Sequence, residues 1–147
     1  MPKLKFKIVT PEKVVFEQEI DQVTLPTQTG QITVLPNHIP LLSALQAGEL
    51  VIKSDGKETP LAIAGGFVEV KPDSEIVVLT ENAEHAQEID IARAEEAKKR
   101  AEDLLKNTKD KEAVDYTALT AKIERELARL KVARKHKPSH QPTIKTD

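Results

Sequence analysis

Four arginines are the side chains of this sequence best suited to binding chemistry. Arg93 and Arg100 stand in one segment and Arg125 and Arg129 in another, both free of glycine and proline. On a helix Arg125 and Arg129 are neighbours, and such a like-charge pair costs about a few tenths of a kcal/mol unless a counter-charge lies beside it. A planar guanidinium fork matches the oxygens of a phosphate. If the two segments fold back on each other with a turn near Lys111, Arg93 and Arg129 come level, with Arg100 and Arg125 somewhat nearer the turn. That spacing predicts a basic cluster able to take a phosphate or nucleotide. The same residues admit a plainer arrangement, in which Glu96 pairs with Arg100, Lys122 with Glu126, and Asp90 caps a helix.

Other chemistry is hard to assemble. The four histidines are scattered. His38 stands between Pro36 and Pro40 and His85 just ahead of the helical segments, and both read as loop side chains. His136 and His140 have the spacing of a helical metal pair, but Pro138 between them breaks the face such a pair would use. No Gly-x-Ser-x-Gly occurs, and Gly65-Gly66 lacks the Lys-Ser/Thr of a phosphate loop, so close backbone packing within a sheet accounts for the pair. The absence of cysteine rules out disulfides and thiolate metal sites. No catalytic residue, metal or required cofactor is expected. A formal net charge of −2 argues against a nucleic-acid partner.

Two kinds of element must hold these groups. Up to about residue 80 the chain reads as short strands. Leu4, Phe6 and Ile8 alternate with Lys3, Lys5 and Lys7, a period of two with the lysines turned to water. Val14 to Phe16, Ile20 to Leu25, Ile32 to Leu35 and Leu50 to Lys53 continue the series. Asp55-Gly56 predicts a tight hairpin, because a type I′ turn needs positive φ at both central residues. It joins Leu50–Ser54 to Lys57–Ile63. Gly65-Gly66 leads into Phe67–Val70, and Lys71 to Ser74 turns the chain into Glu75–Leu79. Strand after strand with no intervening helix predicts an antiparallel β-sandwich or barrel.

From Glu88 the period becomes helical. Ala94, Ala97, Ala101 and Leu104 form one stripe, and Tyr116, Leu119, Ile123, Leu127, Leu130 and Ala133 a second. The polar link Asn107 to Glu112 favours an antiparallel hairpin. Asp90 or Glu88 suits the first helix's dipole, and Asp115 is the expected N-cap of the second. The class is therefore α+β, with a sandwich over residues 1–84, a helical hairpin over 85–133 and a polar tail over 134–147 expected to be disordered. Each buried methylene is worth about 0.8 kcal/mol, so a seam built on alanine holds the hairpin by a modest surplus that suits release and re-docking. At 147 residues the chain fits one compact domain plus an appendage, or one domain of ordinary size. No apolar run reaches the roughly 18–20 residues of a membrane span. The start alternates like a strand rather than a secretory leader, so an intracellular chain is expected.

One stretch identifies a family. Gly30-Gln31-Ile32-Thr33-Val34-Leu35-Pro36-Asn37-His38-Ile39-Pro40-Leu41-Leu42 is a stiff, proline-bracketed excursion from a sheet, better suited to docking than to reaction. It resembles the G-x-x-x-V-L-P-x-H-x-P-L-L pattern of the epsilon subunit of F-type ATP synthases. Ala64 to Val70 is similar to the family's glycine-pair strand, and Val77 to Glu84 to the stretch leading to its helices. Ile89-Asp90-x-x-Arg93-Ala94 resembles its nucleotide-binding motif. Arg100, Arg125 and Arg129 fall where ATP-binding members carry supporting arginines. The likeness runs in order from about residue 3 to 133.

The resemblance implies a non-catalytic rotor subunit of the central stalk, peripheral at the cytoplasmic face of an energy-transducing membrane. Its sandwich would sit on the gamma subunit and the c-ring through Gln31, Pro36, His38, Leu41 and Leu42, helping couple proton flow to ATP synthesis. Its helices would lie folded on the sandwich or extend toward the alpha/beta catalytic head and restrain ATP hydrolysis. In some members ATP is a regulatory ligand of the folded form, which here implies Ile89, Asp90, Arg93, Ala94, Arg100, Arg125 and Arg129. From Asp115 to Lys137 there are seven Lys or Arg and three Asp or Glu, a basic helix fit for an acidic surface. Gln31 stands where many members have an acid, which removes one charge-assisted contact to the c-ring. A free-standing ATP-sensing module is the competing reading, and an enzyme with a site in the sandwich a distant third.

Overall fold

The computed structural model describes residues 2–107 and 116–136. Eight strands come first: β1 (Leu4–Val9), β2 (Val14–Ile20), β3 (Gln22–Thr27), β4 (Gly30–Val34), β5 (Leu41–Ser54), β6 (Lys57–Lys71), β7 (Glu75–Leu79) and β8 (Ala83–His85). A 3-10 turn, Ala86–Glu88, leads to α1 (Ile91–Asn107) and α2 (Tyr116–His136). Strand order across the sheet is β2-β1-β7-β6-β5-β3-β4, with β8 beside β6. All pairs are antiparallel except β1 with β7, which run parallel. Asp55 and Gly56 both have positive φ, as the tight hairpin between β5 and β6 requires.

The sandwich arises because β5 and β6 are long enough to serve both layers. Sequence reading broke each into shorter strands. Instead β5 has 14 residues and β6 has 15, paired along their whole length. One half of β6, Phe67 to Lys71, pairs with β7, and the other half, Leu61 to Ile63, pairs with β8. The inward phase changes between the halves: Leu61 and Ile63 join the core, then Val68 and Val70 do. Gly65 at φ +95° and Gly66 at φ +124° make the change, in a region closed to most side chains. A Cβ at Gly66 would lie 2.0 Å from the Leu79 carbonyl oxygen, so β6 approaches β7 too closely for any other residue.

Between the layers lies a core of Leu4, Phe6, Ile8, Leu25, Leu50, Ile76 and their neighbours. The lysines of β1 turn outward, as its alternation predicts, and Lys3, just ahead of the strand, bridges Asp21 at 2.7 Å and Asp55 at 3.0 Å. Hydrogen bonds from Lys3 and from the Asp55 backbone N–H hold the Asp21 carboxyl below its usual range.

A second, smaller cluster seats the helices: Ala62, Ala86, Ile89, Val132 and Ala133, with Ile91 against it. Helix α2 lies across β5 and β6, and α1 packs on α2. The helical stripes are thus partly redrawn. Ala94, Ala101, Leu130 and Ala133 are buried as expected, but Leu104 and Tyr116 are 55% and 56% exposed. Because α2 has both the sandwich and α1 for neighbours, it also buries Glu126, Ala128 and Val132, residues outside any single stripe. It continues through Arg134, Lys135 and His136, past the boundary expected after Ala133, since each of these meets a carboxylate. Likewise β8 and the 3-10 turn straddle the expected boundary at Glu84 because Ala86 packs under α2. Asp115, Lys111 and the tail from 137 lie outside the described residues.

Candidate functional site

Helix α1 begins where sequence placed it, for a local reason. The Arg93 backbone N–H donates to Asp90 Oδ1 at 3.1 Å, and the Ala94 N–H donates to the Asp90 carbonyl at 3.0 Å. Asp90 is thus the N-cap, satisfying one of the free donors of the first turn. Ile89 and Ala94 are fully buried, so these two members of the motif serve packing.

The arginines do not form one cluster. Glu95 pairs with Arg134, so α1 and α2 run antiparallel in a register that brings Arg129 near the level of Arg100 and leaves Arg93 near His136. The level pairing of Arg93 with Arg129, expected from a turn near Lys111, is therefore replaced. Arg100 pairs with Glu96 on an exposed face of α1, the plainer arrangement of the two. It also edges a shallow hollow with Asp103, Leu104 and Asn107. Arg93 is exposed, and among the described residues its guanidinium has no acidic partner within 4 Å.

Arg125 and Arg129 turn to the sandwich instead. Arg125 Nη2 lies 3.7 Å from Glu81 Oε2. Arg129 is only 19% exposed and sits between two acids: Nη2 donates to Glu84 Oε2 at 3.1 Å and Nη1 to Glu126 Oε2 at 2.8 Å. Its Nε is 2.8 Å from Glu84 Oε1 without the alignment of a hydrogen bond, so that contact is electrostatic only. Burial works to lower the Arg129 pKa, but hydrogen bonding to Glu84 and the charges of Glu84 and Glu126 outweigh it and raise it further. The guanidinium stays charged. Asn82 Nδ2 donates to Glu84 Oε1 at 3.0 Å and fixes the acid in place. A phosphate approaching Arg129 has to replace Glu84 or Glu126. Sequence reasoning missed Glu81 and Glu84, although the like-charge pair Arg125/Arg129 signalled that a counter-charge must come from elsewhere.

The proline-bracketed loop is stiff, and it is tied to a neighbour. Asn37, at φ 66°, donates its N–H to Ser74 Oγ at 2.8 Å, and the His38 N–H donates to the Leu35 carbonyl at 3.2 Å. Its residues diverge. Leu42 is 70% exposed, Gln31 is exposed on β4, and Pro36 and His38 are half-buried. Leu41 packs against the core, and Leu45 is buried within it, because both fall on the inward phase of β5. The leucine cluster is therefore mostly structural, with Leu42 its outward member.

A larger apolar surface lies beside it. Cross-strand register places Ala44, Phe67, Leu79, Val9 and Val14 in one row over five strands, on the side away from the core. Phe67 is 53% and Leu79 52% exposed. Such a contiguous exposed apolar row is the kind of surface that marks a contact site. The signal was present in sequence, since Phe67 and Leu79 occupy the phase opposite Val68 and Val78, but it required the register to join them.

Among the described residues no group of three His, Asp or Glu could hold a metal ion, and no helix is long and apolar enough to cross a membrane. The sandwich thus carries an exposed apolar row, and a helical pair is held at its other end by ion pairs. Residues 3–86 match the model of the ATP synthase delta/epsilon chain beta-sandwich domain, and residues 87–134 that of its long alpha-helix domain. The chain belongs to the ATP synthase delta/epsilon chain family. It is 48% identical over 143 residues to the ATP synthase epsilon chain of Dehalococcoides mccartyi, covering 96% of this chain and 99% of that one. The epsilon chain of Nitratidesulfovibrio vulgaris is 46% identical over 129 residues, covering 88% and 94%. Its fold is also similar to a chain of the Euglena gracilis mitochondrial ATP synthase, with TM-score 0.72 at 20% identity over 92% of this chain and 83% of that one.

Proposed function

We propose that this chain is the non-catalytic epsilon subunit of a rotary ATP synthase, a component of the central stalk. The observation that carries the reading is full-length similarity to chains named ATP synthase epsilon chain, at 48% identity over 96% of the sequence. The apolar row of Phe67, Leu79, Val9 and Val14, with Leu42 and the loop of Pro36 and His38, is the surface offered to the gamma subunit and the c-ring. The chain acts peripherally, on the cytoplasmic face of an energy-transducing membrane, and serves coupling of proton flow to ATP synthesis. Its helices are folded on the sandwich here; extended toward the alpha/beta head, they restrain ATP hydrolysis. ATP is the regulatory ligand in this reading, taken by Arg93 and Arg100, whose forks are exposed, with Arg125 and Arg129 joining once their carboxylates yield.

Two measurements test it. ATP hydrolysis by the reconstituted catalytic head should be slower with the full-length chain than with a version ending at Ile89, and equal rates defeat the regulatory reading. Titration calorimetry should show ATP binding that weakens at least about tenfold in Arg93→Ala and in Arg129→Ala, the loss of one charge-assisted contact. Binding indifferent to both substitutions returns the arginines to a structural role. Failure to co-purify with gamma defeats the assignment altogether.

A further inference from the structure

We propose that the folded position of α2 is held by a carboxylate latch on the sandwich, with Glu84 as its principal member and Glu49 and Glu81 flanking it. The apolar seat is small for a helix of 21 residues. It joins Val132 and Ala133 to Ala62, Ala86 and Ile89, in large part methyl groups, each worth about as much as one methylene. The ionic contacts are more extensive. Glu81 meets Arg125, Glu84 meets Arg129, and Glu49 meets both Lys135 at 3.1 Å and His136. Three cations of one helix, Arg125, Arg129 and Lys135, and the imidazole of His136 thus face three acids of the sandwich and the strands beside it, along a span of about 16 Å.

These contacts are unequal. Arg125 with Glu81 and Lys135 with Glu49 each have one well-exposed member, and such pairs are worth little and are screened by salt. Arg129 and Glu84 are 19% and 22% exposed, so water compensates poorly when one of them is lost. Asn82 holds the Glu84 carboxylate ready for the arginine. The consequence is directional. Salt loosens Arg125 from Glu81 and Lys135 from Glu49 first, leaving α2 attached at Arg129 and at His136, and separation of Arg129 from Glu84 is the principal step that frees the helix.

The latch concerns the regulation proposed above and rests on the reading that the helices leave the sandwich, but it is measured on the isolated full-length chain. It can therefore fail while the hydrolysis assay succeeds, and the reverse. Amide hydrogen exchange is followed in wild type, in Glu84→Gln and in the Glu49→Gln/Glu84→Gln double variant, at low and at high NaCl. Glu96→Gln, which breaks an ion pair internal to α1, is the control. Exchange across 126–133 should quicken about tenfold in Glu84→Gln and further in the double variant, with β1, β5 and β6 still protected and the control unchanged. High salt should quicken it in wild type and much less in the double variant. Unchanged exchange in the double variant overturns the latch, as does loss of protection in the strands, which would make these acids supports of the sandwich. Salt acting equally on wild type and double variant also overturns it, using no substitution that could impair folding beyond the two named.

Discussion

Gly66 shows how one residue sets the geometry of the whole sandwich. Its φ of +124° and the 2.0 Å from a built Cβ to the Leu79 carbonyl oxygen leave no relaxation that keeps β6 beside β7. Gly66→Ala should therefore lower stability by about 3 kcal/mol or more in denaturant titration. Gly30 is the comparison, with φ +130° but nothing within 4 Å, and Gly30→Ala should cost only about 1 kcal/mol of backbone strain. A smaller loss at Gly66 than at Gly30 would contradict the close approach. The sequence made Gly65-Gly66 legible as tight sheet packing, because no nucleotide-loop partner accompanied it. It could not show that the pair reverses the inward phase of β6, since that depends on the register in which β5 and β7 pair on either side of it. Arginine placement followed the same rule. Asp90 as N-cap and Glu96 with Arg100 are local and were readable, whereas Glu84 with Arg129 spans 45 residues and was not.

The elements were legible where their period was local. The tight turn at Asp55-Gly56, the alternation of β1 and the start of α1 all stand as read. The lengths of β5 and β6 did not, because glycines that ordinarily end strands here bend a continuous one. Boundaries between halves also needed the tertiary structure. Strand β8 pairs Ala83, Glu84 and His85 with Ile63, Ala62 and Leu61, and Ile89 is fully buried beyond it. A version ending at Ile89 should accordingly melt about 4–8 °C above one ending at Glu84, equivalent to roughly 1 kcal/mol in a domain of this size. Matching melting temperatures would mean that β8 and the 3-10 turn contribute only when α2 covers them.

For the whole molecule, the exposed apolar row and the core lie on opposite sides of the same strands. Phe67 and Leu79 face away from the core that Val68 and Val78 complete. Phe67→Ser with Leu79→Thr should leave thermal stability within about 1 kcal/mol of wild type, as surface substitutions usually do. It should weaken association with gamma at least about tenfold, because exposed aromatic anchors carry much of the energy of an interface. Sedimentation or co-purification reads the association, and undiminished binding would move the docking surface elsewhere.

Strands β5 and β6 carry Leu42 and Phe67 at one end and, some seven residues along, Glu49 and Ala62 at the other. They join those points through paired backbone on both sides of the Gly65-Gly66 bend. A partner bearing on the apolar row therefore loads the seat of α2 directly, with no loop between to absorb the strain. Torsion entering at one end should reach the other as a tilt beneath the helix, with Gly65-Gly66 as the pivot it crosses.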